Sequence, residues 1–139
     1  MMPERGAVEI VVADDDLLFS SRLSASLTRL GYRCVLARTA AALEAALREA
    51  AGRDRPRAVI VNLAARHFDA AEAVRRLKAG TTTQGIPVLG FCGHRDVARA
   101  QAAKEAGCDA ITTNGVVAAD LERVLRPLVG PITPPTGAV

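Results

Sequence analysis

An α/β fold around a five-stranded parallel sheet is what this sequence predicts, and three observations carry the prediction. Short runs rich in β-branched residues alternate with Ala- and Leu-rich stretches of helical period, the pattern of repeated βα units. Five such pairs fit into 139 residues, the size of one domain. Two of the strands end in contrasting chemistry: Val8-Glu9-Ile10-Val11-Val12-Ala13 stops at the carboxylates Asp14, Asp15 and Asp16, whereas Ala58-Val59-Ile60-Val61 stops at the amide of Asn62.

The elements follow in order. Asp16 can cap the free N–H groups of a first helix, along which Phe19, Leu23, Leu27 and Leu30 recur at helical spacing until Gly31 ends it. Cys34-Val35-Leu36 is a short strand. Thr39 caps a second helix with Leu43, Leu47 and Ala50 on its inner face, and the segment from Gly52 to Pro56 breaks it. After the third strand, Asp69 and Glu72 form a capping pair for a third helix bearing Val74 and Leu77. Gly80 to Gly85 reads as a loop, and Pro87-Val88-Leu89-Gly90-Phe91 as a fourth strand whose proline sits first, where its missing N–H does least harm. A fourth helix runs from about Asp96 to Ala106 and stops at Gly107. Ala110-Ile111-Thr112 is the fifth strand and Asn114-Gly115 a turn. Leu121, Val124, Leu125 and Leu128 then mark a fifth helix, loosened near its end by Pro127. The domain spans 1–129, and 130–139, with Pro131, Pro134 and Pro135, reads as a flexible tail or linker stub.

Composition narrows the function classes. Hydrophobic residues make up 50% of the chain but aromatics only 3%, so Ala, Val, Leu and Ile must build the core. No apolar run reaches the roughly 18 residues of a membrane span, and the N-terminus lacks the layout of a secretion signal; a soluble cytoplasmic protein is expected. Cys34, Cys92 and Cys108 are odd in number and lack metal-ligand spacing, so they read as free thiols. The net charge of +3 comes from scattered arginines, without the focused stripe and aromatic partners of a nucleic-acid surface.

In an open parallel sheet, ligands sit beyond the carboxyl ends of the strands where the winding reverses, which here brings Asp14, Asp15 and Asn62 to one crevice. Over residues 7 to 129 the chain resembles a response-regulator receiver domain. The resemblance rests on the acid pair after the first strand, Asp69-Ala70-Ala71-Glu72, Ile86-Pro87-Val88, and Ala106-Gly107-Cys108-Asp109. It implies a flavodoxin-like three-layer fold with strand order 2-1-3-4-5 and five flanking helices. It also implies a phosphorylation switch, which keeps its acid pair but is altered at four positions. The family's phosphorylated aspartate falls on Asn62, and a carboxamide has no anionic oxygen with which to form an acyl phosphate. The family's lysine falls on Asn114, its switch Ser/Thr on Cys92 and its switch aromatic on Ile111. Those positions together mark a degenerate, or pseudo-, receiver.

The acid pair leaves three readings open. Asp14 and Asp15 can be solvated carboxylates at a helix start, can hold Mg²⁺ weakly with several waters, or can be neutralised by Arg66 from the loop after Asn62. His67 and His94 read as exposed turn residues near the same rim, and Cys92 as an inert thiol.

The expected function is non-enzymatic: a phosphorylation-independent module of signal transduction that binds a protein partner or homodimerises, with no cofactor beyond weak Mg²⁺ and no direct contact with nucleic acid or membrane. By resemblance, its contact face is the fourth helix, fifth strand and fifth helix, carrying Arg95, Arg99, Lys104, Thr113, Arg123 and Arg126. A basic face suits an acidic partner. The alternative is a small-molecule or metal sensor that uses the vacated acidic pocket, its rim kept small by Gly90, Cys92 and Gly93.

Overall fold

Three apolar runs form the middle of the sheet because both of their faces are covered. The strands β1 (Val8–Ala13), β3 (Ala58–Asn62) and β4 (Val88–Cys92) are buried along nearly their whole length, as central parallel strands must be. The half-buried β2 (Tyr32–Ala37) and β5 (Ala110–Thr113) close the two edges. All pairings are parallel and the order is β2-β1-β3-β4-β5. The computed structural model describes residues 8–51 and 55–130; the expected helix break at Gly52 and the tail beyond Gly130 lie outside the described residues.

Alternation along the strands divides the core into two layers. Ile10, Val12, Ile60, Leu89 and Phe91 face α1 (Leu17–Arg29), α5 (Asn114–Ala119) and α6 (Leu121–Val129), meeting Leu23, Leu27, Val117, Leu121 and Leu125. Val11, Ala13, Val59, Val61 and Val88 face α2 (Ala40–Ala51), α3 (Ala70–Ala79) and α4 (Val97–Ala106), meeting Leu43, Leu47, Val74, Leu77, Ala103 and Ala106. Each fully buried Val, Leu or Ile contributes about 1.5–3 kcal/mol, so aliphatic residues suffice where aromatics are scarce. No helix among the described residues is long and apolar enough to cross a membrane.

The helix starts follow the capping residues. Asp16 accepts from the Phe19 N–H at 2.9 Å, Thr39 from Ala42 at 3.0 Å and Asp69 from Glu72 at 3.0 Å. Only half of the expected Asp69/Glu72 reciprocity forms, because the Glu72 carboxylate turns to Arg75 and Arg76 on its own helix. Gly31 and Gly107 end α1 and α4 at φ 97° and 112°, a conformation that costs glycine little. The Ala106–Asp109 motif stitches the sheet: Asp109 accepts from the Val88 N–H at 2.7 Å and pairs with Lys78 at 2.7 Å.

Two expectations for the C-terminal region need correction. Asn114-Gly115 is not a turn but the first two residues of α5, because the Thr113 hydroxyl accepts from the Val116 N–H at 3.2 Å and caps a helix there. The sheet therefore carries six helical segments among the described residues instead of five, α5 and α6 being separated at Asp120. Pro127 lies inside α6 near its end, and the helix runs on to Val129 with the Gly130 N–H donating to the Arg126 carbonyl at 2.7 Å.

Candidate functional site

Ala13 lies opposite Val61 in the sheet, so the next residue of each strand, Asp14 and Asn62, meets the other at the carboxyl edge. Asn62 Nδ2 donates to Asp14 Oδ1 at 2.8 Å, and its Oδ1 accepts from the Ala64 N–H at 2.9 Å. Both bonds need an amide, since a carboxylate at position 62 could accept the second but not donate the first. Asp14 Oδ1 also accepts from the Asp16 N–H at 3.0 Å, while Asp14 Oδ2 is buried with no hydrogen-bond partner. Burial pushes the Asp14 carboxyl above the usual carboxylate range; the Asn62 and Asp16 bonds work against that shift, and the charges of Asp16 and Asp15 add to it. Of the three readings of the acid pair, the solvated one does not hold for Asp14, whose side chain is fully inside.

Asp15 has a different environment. Its Oδ2 accepts from the backbone N–H of Arg66 at 2.9 Å and of His67 at 2.6 Å, and the His67 ring nitrogen Nδ1 lies 2.9 Å from it. Partial burial disfavours its charge, but the His67 backbone and ring and the Arg66 N–H outweigh that effect and hold Asp15 below the usual range. Arg66 does reach the acids, though through its backbone and not through its guanidinium, which makes no ion pair among the described residues. The side chain that does reach the acid is that of the neighbouring His67, which is 73% exposed yet turned onto Asp15. Asp16, the third acid of the run, caps α1.

N–H donors already occupy part of the acid pair's capacity to hold a divalent cation. Mg²⁺ needs open carboxylate oxygens and keeps several waters. Asp14 Oδ1, Asp15 Oδ2 and Asn62 Oδ1 each accept from N–H donors already, and Asp14 Oδ2 is sealed from solvent, which leaves Asp15 Oδ1 as the carboxylate oxygen of the pair that accepts no hydrogen bond among the described residues. Among the described residues no group of three or more His, Cys, Asp or Glu is placed to hold a metal ion.

The other candidate positions are spread around the crevice. Cys92 ends β4 opposite Thr113; burial and then the Asp96 charge push its thiol up, which disfavours the reactive thiolate. Burial likewise drives the Cys108 thiol to about 11. Ile111 is half-buried against the α2–α4 layer, and Asn114 is exposed at the start of α5. Gly90 is no rim residue: a Cβ there would come within 3.0 Å of Leu63 and 3.1 Å of the Cys108 sulfur, so the close packing of β4 requires glycine. Gly93 has open space around it. On the expected contact face, Arg99 pairs with Asp96 at 2.7 Å, Arg123 with Asp120 at 2.6 Å, and Arg126 with Glu122. The Thr113 hydroxyl is engaged in its cap. Arg95 and Lys104 are exposed and make no ion pair among the described residues, so the basic character of the face rests on them.

No family model matches the sequence, and no curated protein matches it. Solved structures do match the fold. The receiver domain of the sensor histidine kinase PA1611 from Pseudomonas aeruginosa, solved with a magnesium ion in its active-site cleft, is 22% identical with a TM-score of 0.75, over 89% of this chain and 98% of that one. The phosphorylated cyanobacterial phytochrome response regulator RcpA is 16% identical with a TM-score of 0.76, over 94% and 99%. The chain has the receiver-domain fold. A third match, the chemotaxis response regulator CheY4 of Vibrio cholerae, is 18% identical with a TM-score of 0.68, over 86% of this chain and 99% of that one. Within the receiver fold, Asp14 and Asn62 sit where the strand order reverses, at the crevice that such sheets use for ligands.

Proposed function

We propose that this receiver-fold chain is a non-catalytic module of signal transduction that works without phosphorylation and without a cation, through contact with a protein partner or a second copy of itself. The observation that carries the reading is the amide of Asn62, bonded at both ends to Asp14 and Ala64. An amide offers no anionic nucleophile, and this one donates a hydrogen bond that an acceptor carboxylate could not. Asn114 supplies no cation to a phosphoryl group, and Ile111 has no ring to rotate in response to one. The test is intact mass spectrometry after incubation with acetyl phosphate and Mg²⁺. An unmodified mass is expected; a phosphoryl group on any residue of the crevice overturns the reading.

The partner half of the proposal is tested on the surface. Arg95→Glu combined with Lys104→Glu should weaken self-association in sedimentation equilibrium, or partner capture in pull-downs from native cells. The weakening should be greatest at low salt, where exposed charges act furthest. Stability should change by no more than about 0.5 kcal/mol, as is usual for exposed positions away from caps and ion pairs. Association that survives the double reversal at low salt places the interface elsewhere.

A further inference from the structure

Room for a small molecule lies between α2 and α3, in a cavity of about 590 Å³ that none of Asp14, Asp15 or Asn62 lines. Small-molecule sites commonly measure about 300–1,000 Å³ and combine an apolar lining with a few placed polar groups. Leu43 and Leu47 of α2 and Ala73 and Leu77 of α3 supply the apolar lining here. The alanine at position 73 leaves unfilled the volume that a larger side chain would take.

The charged groups around the cavity are unequal. Arg76 reaches from α3 to Glu44 on α2 at 2.9 Å and to Glu72 at 3.3 Å, so the two glutamates and this arginine answer one another across the groove. Asp69 is the cap of α3. Arg48, one turn beyond Glu44, also lines the cavity and makes no ion pair or hydrogen bond among the described residues. Among the described residues it is the lining cation without an ion pair, beside an apolar wall.

We propose that the α2–α3 cavity binds an amphipathic organic anion, its apolar body against Leu43, Leu47, Ala73 and Leu77 and its anionic group on Arg48. The unpaired guanidinium selects the anion: the lining carboxylates Glu44, Glu72 and Asp69 already have partners, whereas Arg48 has none among the described residues. The site stands independently of the phosphorylation reading, because it shares no residue with the crevice.

The full chain can be titrated with 1-anilinonaphthalene-8-sulfonate, an aromatic body carrying one sulfonate, and with its uncharged counterpart N-phenyl-1-naphthylamine. Saturable binding at one site is expected, with amide NMR shifts concentrated in α2, α3 and residues 82–83. Ala73→Phe should weaken both probes about tenfold or more, equivalent to about 1.4 kcal/mol. Arg48→Gln should weaken the sulfonate alone. If Ala73→Phe does not fold, Ala40→Leu at the exposed edge of the cavity serves the same purpose. Binding that does not saturate, shifts that map elsewhere, or equal affinity of both probes insensitive to Arg48→Gln overturns the proposal.

Discussion

Asn62→Asp should lower the stability of this protein at pH 7 by about 3 kcal/mol, the order expected when a buried polar pair loses its complementary partner. The amide Nδ2 now donates to Asp14 Oδ1 at 2.8 Å, and Asp14 Oδ2 already lacks a partner in a buried site. A second carboxylate there would replace the donor with a like charge. One of the two acids would have to take up a proton in the fold at a pH where it stays ionised in the unfolded chain. Its folded pKa is then raised, so the variant's deficit is largest near neutrality. That deficit shrinks as pH falls towards the ordinary carboxylate value of about 3.9, because a raised carboxyl favours the fold at low pH and loses that advantage as pH rises through its folded value. Mg²⁺ should recover part of the deficit in the variant, which gains an anionic oxygen, and leave the wild type unchanged. Thermal melts at pH 7 and about pH 4, with and without Mg²⁺, decide the matter; an unchanged melting temperature at pH 7 would mean that the crevice does not depend on the amide.

Much of the fold was legible because it is written locally. The continuous apolar runs of β1, β3 and β4 announced strands buried on both faces, and Asp16, Thr39 and Asp69 announced the helix starts that they cap. The strand ends also placed Asp14 beside Asn62. Asn114-Gly115 misled because the same residue types begin helices and make turns. What decides between them is the Thr113 hydroxyl, together with Val117, which is buried against the α1 layer. The surroundings of Asp15 were not legible for a different reason. Two of its donors are backbone N–H groups of the loop after β3, and main-chain donors carry no sequence signature. Arg66 drew attention by its charge, yet a long exposed side chain loses entropy on docking, and the backbone amide of the same residue does the work at no such cost. Gly90 looked like a rim residue because sequence cannot show that Leu63 and Cys108 press on it from above the strand. The α2–α3 cavity was invisible in the sequence, since Ala40 and Ala73 read simply as good helix formers.

Asp15→Ala should release the loop after β3 and cost about 2 kcal/mol, because three contacts end on one oxygen and each hydrogen bond to a charged group contributes about 1.5 kcal/mol or more before relaxation. Hydrogen exchange at the Arg66 and His67 amides should accelerate well beyond the change in global stability. The pH dependence should oppose that of Asp14. Asp15 is held below 3.8, so its stabilisation is complete above that value and is lost as pH falls through its lower folded value. The difference in stability between wild type and Asp15→Ala should therefore narrow on acidification below about pH 4. Asp14, raised above 3.8 by burial, instead works against the fold as pH climbs through its folded value. Two adjacent acids thus carry opposite titration signatures, set by whether the N–H donors that reach them outweigh burial. If exchange at Arg66 and His67 is unchanged by Asp15→Ala, the loop is anchored elsewhere and the contacts on Asp15 Oδ2 do not hold it.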